Sequence, residues 1–122
     1  MAASPHAQVF NKPLKPLASL TALAIANNNL RELPASFSEL VKLRNFNAAN
    51  NMIATLPPQL SVLTLLEELN LTNNVLTELP SFVENFTRLS YVDISANRLD
   101  HIPSGLSKCT AITHVRTPPA DT

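Results

Sequence analysis

Between residues 66 and 80 the chain reads LEELNLTNNVLTELP, with apolar side chains at Leu66, Leu69, Leu71, Leu76 and Leu79 and an amide, Asn74, set among them. Moved along the chain in steps of 23 residues, the pattern returns without slipping. Leu20, Leu43, Leu66 and Leu89 open four copies, and Asn28, Asn51, Asn74 and Asn97 take one fixed place in each. Pro34, Pro57, Pro80 and Pro103 follow a leucine or isoleucine in the same frame. Early in each copy the apolar residues alternate at period two, which predicts a short strand. Its expected inward residues are Leu23 and Ile25, Phe46 and Ala48, Leu69 and Leu71, and Val92 and Ile94. Later in each copy the spacing becomes three, as in Phe37, Leu40 and Leu43, which predicts short helical or 3-10 turns. The proline between the two halves fixes φ and offers no donor, which suits a chain leaving a sheet.

One such copy cannot fold alone. Ordering it costs roughly 1.5 kcal/mol per residue, and its few core side chains return roughly 1.5 to 3 kcal/mol each. Stacked copies share each apolar layer, and about three are needed before the sum turns favourable. The expected organisation is a lead over residues 1–9, a partial repeat over 10–19, repeats over 20–42, 43–65, 66–88 and 89–111, and a partial repeat with a loose tail over 112–122. The asparagines Asn28, Asn51, Asn74 and Asn97 are expected to point inward as a structural ladder. A buried amide is tolerable only when paired, and a repeated one can bond the turns of its own and the adjoining copy.

The pattern LxxLxLxxNxLxxLP closely resembles the leucine-rich-repeat family, over residues 20 to 109, in the 23-residue class continuing as LPxxLxxL. The resemblance implies an α/β repeat solenoid. A horseshoe arc would carry a short parallel sheet on its concave face and short helical or 3-10 turns and loops on its convex face. It also implies a non-enzymatic module for protein–protein interaction, used in scaffolds and regulatory adaptors.

Composition narrows the partners. Nine basic residues balance nine acidic ones, so the sequence offers no electrostatic footprint for nucleic acid or an anionic membrane. No apolar run is long enough to insert into a membrane. The single cysteine, Cys109, holds the place of Leu40, Leu63 and Phe86, which reads as a core thiol. Extracellular members of the family flank their arrays with disulfide-bonded cysteines, so the resemblance points to an intracellular, cytoplasmic home. Residues 1–31 contain Lys12, Lys15 and Arg31 and no acid, which keeps an organellar destination as the alternative, although Pro5, Pro13 and Pro16 break the amphipathic helix of a presequence.

Catalysis finds no support. One glycine, Gly105, cannot build a phosphate loop, and no histidine–cysteine spacing suits a metal. Asp93, His114 and Arg116 fall on neighbouring strands, but a strand face of an open solenoid excludes no water. No catalytic residue, metal or cofactor is expected. The outward strand positions are instead the expected contact surface, with Glu68, Asn70, Tyr91, Asp93 and Arg116 as its chemically richest members. A second surface is expected on the edge after the strands, where Met52 and Val75 stand in place of the polar Asn29 and Arg98, with Val62, Leu65 and Phe82 adding apolar excess on the convex side. The two surfaces separate two readings: an adaptor binding a protein partner on the concave face, or a structural subunit built into a multi-subunit assembly through the apolar edge and open solenoid ends.

Overall fold

The computed structural model describes residues 17–99, 104–109 and 114–116. The expected lead, most of the partial repeat before Leu20, and the tail beyond Arg116 lie outside them. Each copy contributes one three-residue strand: β1 (Ala22–Ala24), β2 (Asn45–Asn47), β3 (Glu68–Asn70), β4 (Tyr91–Asp93) and β5 (His114–Arg116). They form one parallel sheet in chain order. The register repeats the sequence period, so Leu23 pairs with Phe46, Phe46 with Leu69, Leu69 with Val92 and Val92 with Val115. Backbone pairing continues past the strand ends, as Ile25 donates to Asn47 at 2.8 Å, Ala48 to Asn70 at 2.9 Å and Leu71 to Asp93 at 2.8 Å.

The returning halves are 3-10 turns, not α-helices: Ala35–Glu39, Pro58–Val62, Ser81–Asn85 and Ser104–Lys108. Pro34, Pro57 and Pro80 hold an extended backbone just before the first three. Spacing by three eclipses side chains on one face of a 3-10 turn, so Phe37, Leu60 and Val83 are driven into the core. The turn of the fourth copy comes close to the third at Gly105, where a Cβ would lie 3.0 Å from Val83 Cγ2.

The core is a continuous column. Leu40, Leu63, Phe86 and Cys109 stack at one level, and Leu43, Leu66 and Leu89 at another, all buried. Phe37 meets Phe46 edge-on with ring centroids 5.5 Å apart. One inward expectation fails. Leu23 is half-buried where Phe46, Leu69 and Val92 are buried, because β1 pairs with a strand on one side only among the described residues. Ala49, two residues beyond β2, is buried.

A second periodicity lies in the turns after the strands. Asn27, Asn50, Asn73 and Ala96 have φ of 63°, 58°, 55° and 55°, each one period after the last. Asparagine visits this left-handed region more readily than other non-glycine residues, so three of the four copies use it and Ala96 carries the steric cost.

Candidate functional site

The asparagine ladder binds each copy to the one before it. Asn74 Nδ2 donates to Leu71 O at 3.0 Å and Thr72 O at 3.3 Å in its own turn, and to Ala48 O at 3.1 Å in the preceding copy. Its Oδ1 accepts from Ile53 N–H at 3.0 Å. Asn51 repeats the arrangement on Ala48, Ala49 and Ile25, with its Oδ1 accepting from the N–H groups of Leu30 and Asn28. Asn97 does so on Ile94, Ser95 and Leu71, and accepts from Leu76. Among the described residues the Asn28 side chain donates within its own turn, to Ile25 O and Ala26 O at 2.9 Å each. These amides occupy donors and acceptors of buried turn backbone that would otherwise go unpaired.

A second set of amides and a carboxylate closes the strand ends, and the sequence reading missed it. Asn47 Oδ1 accepts from Ala49 N–H, Asn70 Oδ1 from Thr72 N–H, and Asp93 Oδ1 from Ser95 N–H, at 3.0, 3.0 and 3.1 Å. Thr72 and Ser95 add hydroxyl bonds of 2.6 Å to the same oxygens. These are side-chain turns in which a short polar residue bonds the backbone two positions on. The signal was present as Asn or Asp two places before Thr72 and Ser95, in frame. Ala24 has no side chain to make this bond.

This changes the concave contact set. Asp93 was expected as an outward contact, yet it is only 7% exposed; its carboxylate turns back to hold Ser95, and Tyr91 Oη donates to Asp93 Oδ2 at 3.4 Å. Asn70 is half-buried and its Oδ1 is committed, which leaves Nδ2 as its outward-facing donor. Glu68 is exposed and Tyr91 half-buried. Arg116 pairs with Asp93 in strand register, and its side chain lies outside what is described. Glu68, Asn70 and Tyr91 line a shallow depression of about 370 Å³ across the sheet, together with Ala22, Ala24, Asn45 and Asn47, and with Leu23 and Phe46 at its floor. The sequence reading placed the chemistry towards the C-terminal strands. The depression instead centres on β1 to β3, where alanines leave space beneath the taller side chains. Beside it Arg44 and Glu67 form an exposed ion pair at 3.6 Å.

The apolar edge also needs correction. Met52 is 43% exposed, but Val75 is half-buried. Val75 is the short member of a row running from Met52 to Arg98, and the turns carrying that row are tied together by Met52 N–H to Leu30 O, Val75 N–H to Ile53 O and Arg98 N–H to Leu76 O. Leu65 is half-buried, and Phe82 packs edge-on against Phe86 at 6.1 Å, resting on the core. The exposed apolar residues near the second copy are Met52, Val62 at 47% and Val41 at 46%, the last not singled out by the sequence pattern.

Cys109 is buried, and its thiol donates to Val83 O at 3.2 Å. Burial pushes the thiol pKa above its ordinary value, and the nearby Glu84 charge adds to the shift. Among the described residues no cluster of His, Cys, Asp and Glu side chains could hold a metal ion. No described helix is long and apolar enough to cross a membrane.

Comparison with known proteins places this geometry. A family model described as Leucine Rich Repeat matches residues 65–86. No curated protein matches the chain in sequence. Among solved structures, a leucine-rich-repeat protein of Leptospira interrogans superposes with a TM-score of 0.80 at 26% identity, over 87% of this chain and 29% of that one. An internalin, InlF, of Listeria monocytogenes superposes with a TM-score of 0.72 at 25% identity, over 84% of this chain and 30% of its own. Internalin C2 of the same organism gives 0.74 at 20% identity, over 86% and 45%, a likeness of fold alone. The chain thus spans less than half of each of these proteins.

Proposed function

We propose that this chain, which a Leucine Rich Repeat model matches over residues 65–86 and which superposes on leucine-rich-repeat and internalin structures, is a non-enzymatic leucine-rich-repeat module that binds a protein partner on the concave face of its sheet. The observation that carries this reading is the depression of about 370 Å³. Its rim presents one aromatic anchor, Tyr91, one exposed carboxylate, Glu68, and the Nδ2 donor of Asn70, on strands whose positions are fixed by buried amides. Rigid display of a few anchors is what lets a small surface bind, because little side-chain freedom is left to lose. Glu68, Asn70 and Tyr91 are the contact residues. Asp93 supports Tyr91 from beneath.

The role is that of a scaffold or regulatory adaptor, in an intracellular compartment, with no part for nucleic acid. The balanced charge and the single buried thiol support this. Purifying the tagged chain at native abundance and identifying co-purifying proteins tests it. A partner retained by the parent chain and lost by Tyr91→Ala, with the fold intact by circular dichroism, is the expected result. Equal recovery by both proteins removes the concave face from the reading. A fixed, salt-resistant set of proteins lost on Met52→Lys would instead favour a structural subunit held through the exposed apolar residues Met52, Val62 and Val41.

A further inference from the structure

Four polar side chains stand over β2 and β3 in two rows. Alternate residues of a strand share a face, so Asn45 and Asn47 of β2 rise on the concave side with Glu68 and Asn70 of β3, and all four line the depression. In register, Asn45 stands beside Glu68 and Asn47 beside Asn70. The two rows have opposite chemistry. Asn47 Oδ1 accepts from Ala49 N–H and Asn70 Oδ1 from Thr72 N–H. A backbone N–H can only donate, so the atom facing it is oxygen, and in both residues Nδ2 is left for the depression they line. That row offers donors. The other row offers acceptors, because Glu68 and Asn45 are exposed and among the described residues the Glu68 carboxylate has no ion-pair partner. The Arg44 guanidinium, one residue before Asn45, is held by Glu67 at 3.6 Å. No lysine, arginine or histidine is among the described residues that line the depression.

The rows lie two residues apart along each strand, about 7 Å. A ligand that matches them carries charged donors at one end and a carbonyl oxygen about 7 Å away. An arginine in an extended chain has both. At about 1.3 Å of reach per bond, the five bonds from its Cα to its guanidinium carbon span about 6 Å, and its own backbone carbonyl lies beyond Cα. Lysine has the same reach but ends in a point charge. The planar fork of arginine donates in two directions at once, to the Glu68 carboxylate and to Asn45 Oδ1 on the adjoining strand. We infer that the concave face selects an extended partner segment bearing an arginine, with the guanidinium on Glu68 and Asn45 and a backbone carbonyl on the Nδ2 groups of Asn47 and Asn70. This rests on the concave-face reading and names the chemistry of its partner.

The probes are three end-blocked peptides, Thr-Val-X-Val-Thr, in which X is arginine, citrulline or glutamate; citrulline keeps the shape of arginine and lacks its charge. Titrated into the isotope-labelled full chain, the arginine peptide is expected to shift the side-chain amide signals of Asn45, Asn47 and Asn70 saturably. It should bind about tenfold more tightly than the citrulline peptide, and the glutamate peptide should not bind. Glu68→Gln should weaken the arginine peptide about tenfold. Glu78→Gln removes an exposed carboxylate outside the depression and should leave affinity within about twofold. Equal affinity for the arginine and citrulline peptides, or of the parent and Glu68→Gln chains for the arginine peptide, overturns the inference. So does a titration that does not saturate, or one whose shifts fall outside the two rows. A co-purifying partner lost on Tyr91→Ala but kept by Glu68→Gln would leave the concave face in place and remove arginine from it.

Discussion

Asn74 and Asn28 occupy the same place in the repeat, and the structure treats them differently. Asn74 is buried, 5% exposed, and joins its own turn to the copy before it. Asn28 is half-buried, and among the described residues its side chain bonds within its own turn, while its backbone N–H serves Asn51. Phe46 and Leu23 repeat the contrast in the core. What a residue contributes in a solenoid is therefore set as much by the neighbouring copy as by its own pattern. The inner copies are held from two directions and the first described copy from one.

That contrast can be broken by substitution. Phe46→Ala should cost about 3 to 5 kcal/mol in urea unfolding, since it removes a buried ring and its edge-on contact with Phe37. Leu23→Ala should cost less, about 1 to 2 kcal/mol, because part of that side chain already faces solvent. Equal losses would mean that the first copy is as tightly packed as the second. Asn74→Ala should cost about 3 kcal/mol by stranding backbone groups in two copies, against about 1 kcal/mol for Asn28→Ala.

Ala96→Asn should move the other way and stabilise by about 1 kcal/mol, because it relieves a left-handed alanine. It would also extend the bond from Asn73 Nδ2 to Asn50 Oδ1, 2.9 Å long, by one copy. A loss of stability would mean that this turn is held open for another reason. The raised pKa of Cys109 favours the protonated thiol in the folded state. Its contribution is full below the ordinary thiol range and is lost as pH climbs from that range through the raised folded value. Cys109→Ala should flatten that alkaline decline in a pH series of melting temperatures. The smallest effect is expected at Glu67→Gln: both partners of its ion pair with Arg44 are well exposed, so the change should stay below about 0.5 kcal/mol.

Much of this architecture was legible in the sequence. The 23-residue period fixed the strand register, the column through Leu40, Leu63, Phe86 and Cys109, and the inward asparagines, because each is a statement about like residues stacking on like. Where the reading failed, the cause was a contact that crosses that order. Asp93 alternates outward by strand parity, but its short carboxylate reaches Ser95 and turns in. Val75 matches Met52 in type but is shorter than both of its row neighbours, and exposure follows length. Leu23 matches Leu69 in pattern, yet pattern does not say what lies on the far side of an end strand. The left-handed turn positions were spelled out as Asn27, Asn50 and Asn73. Each precedes the ladder asparagine directly, so in the pattern the two amides merge into one polar step although they do different work.

Among the described residues β1 and β5 each pair on one side only, and this also bears on how the molecule comes apart. In a chain of copies coupled only to their neighbours, the unit with one coupling opens first, and each opening leaves the next unit in the same position. The described copies should then fray from both ends, with amide exchange faster in β1 and β5 than in β3, between its two paired neighbours.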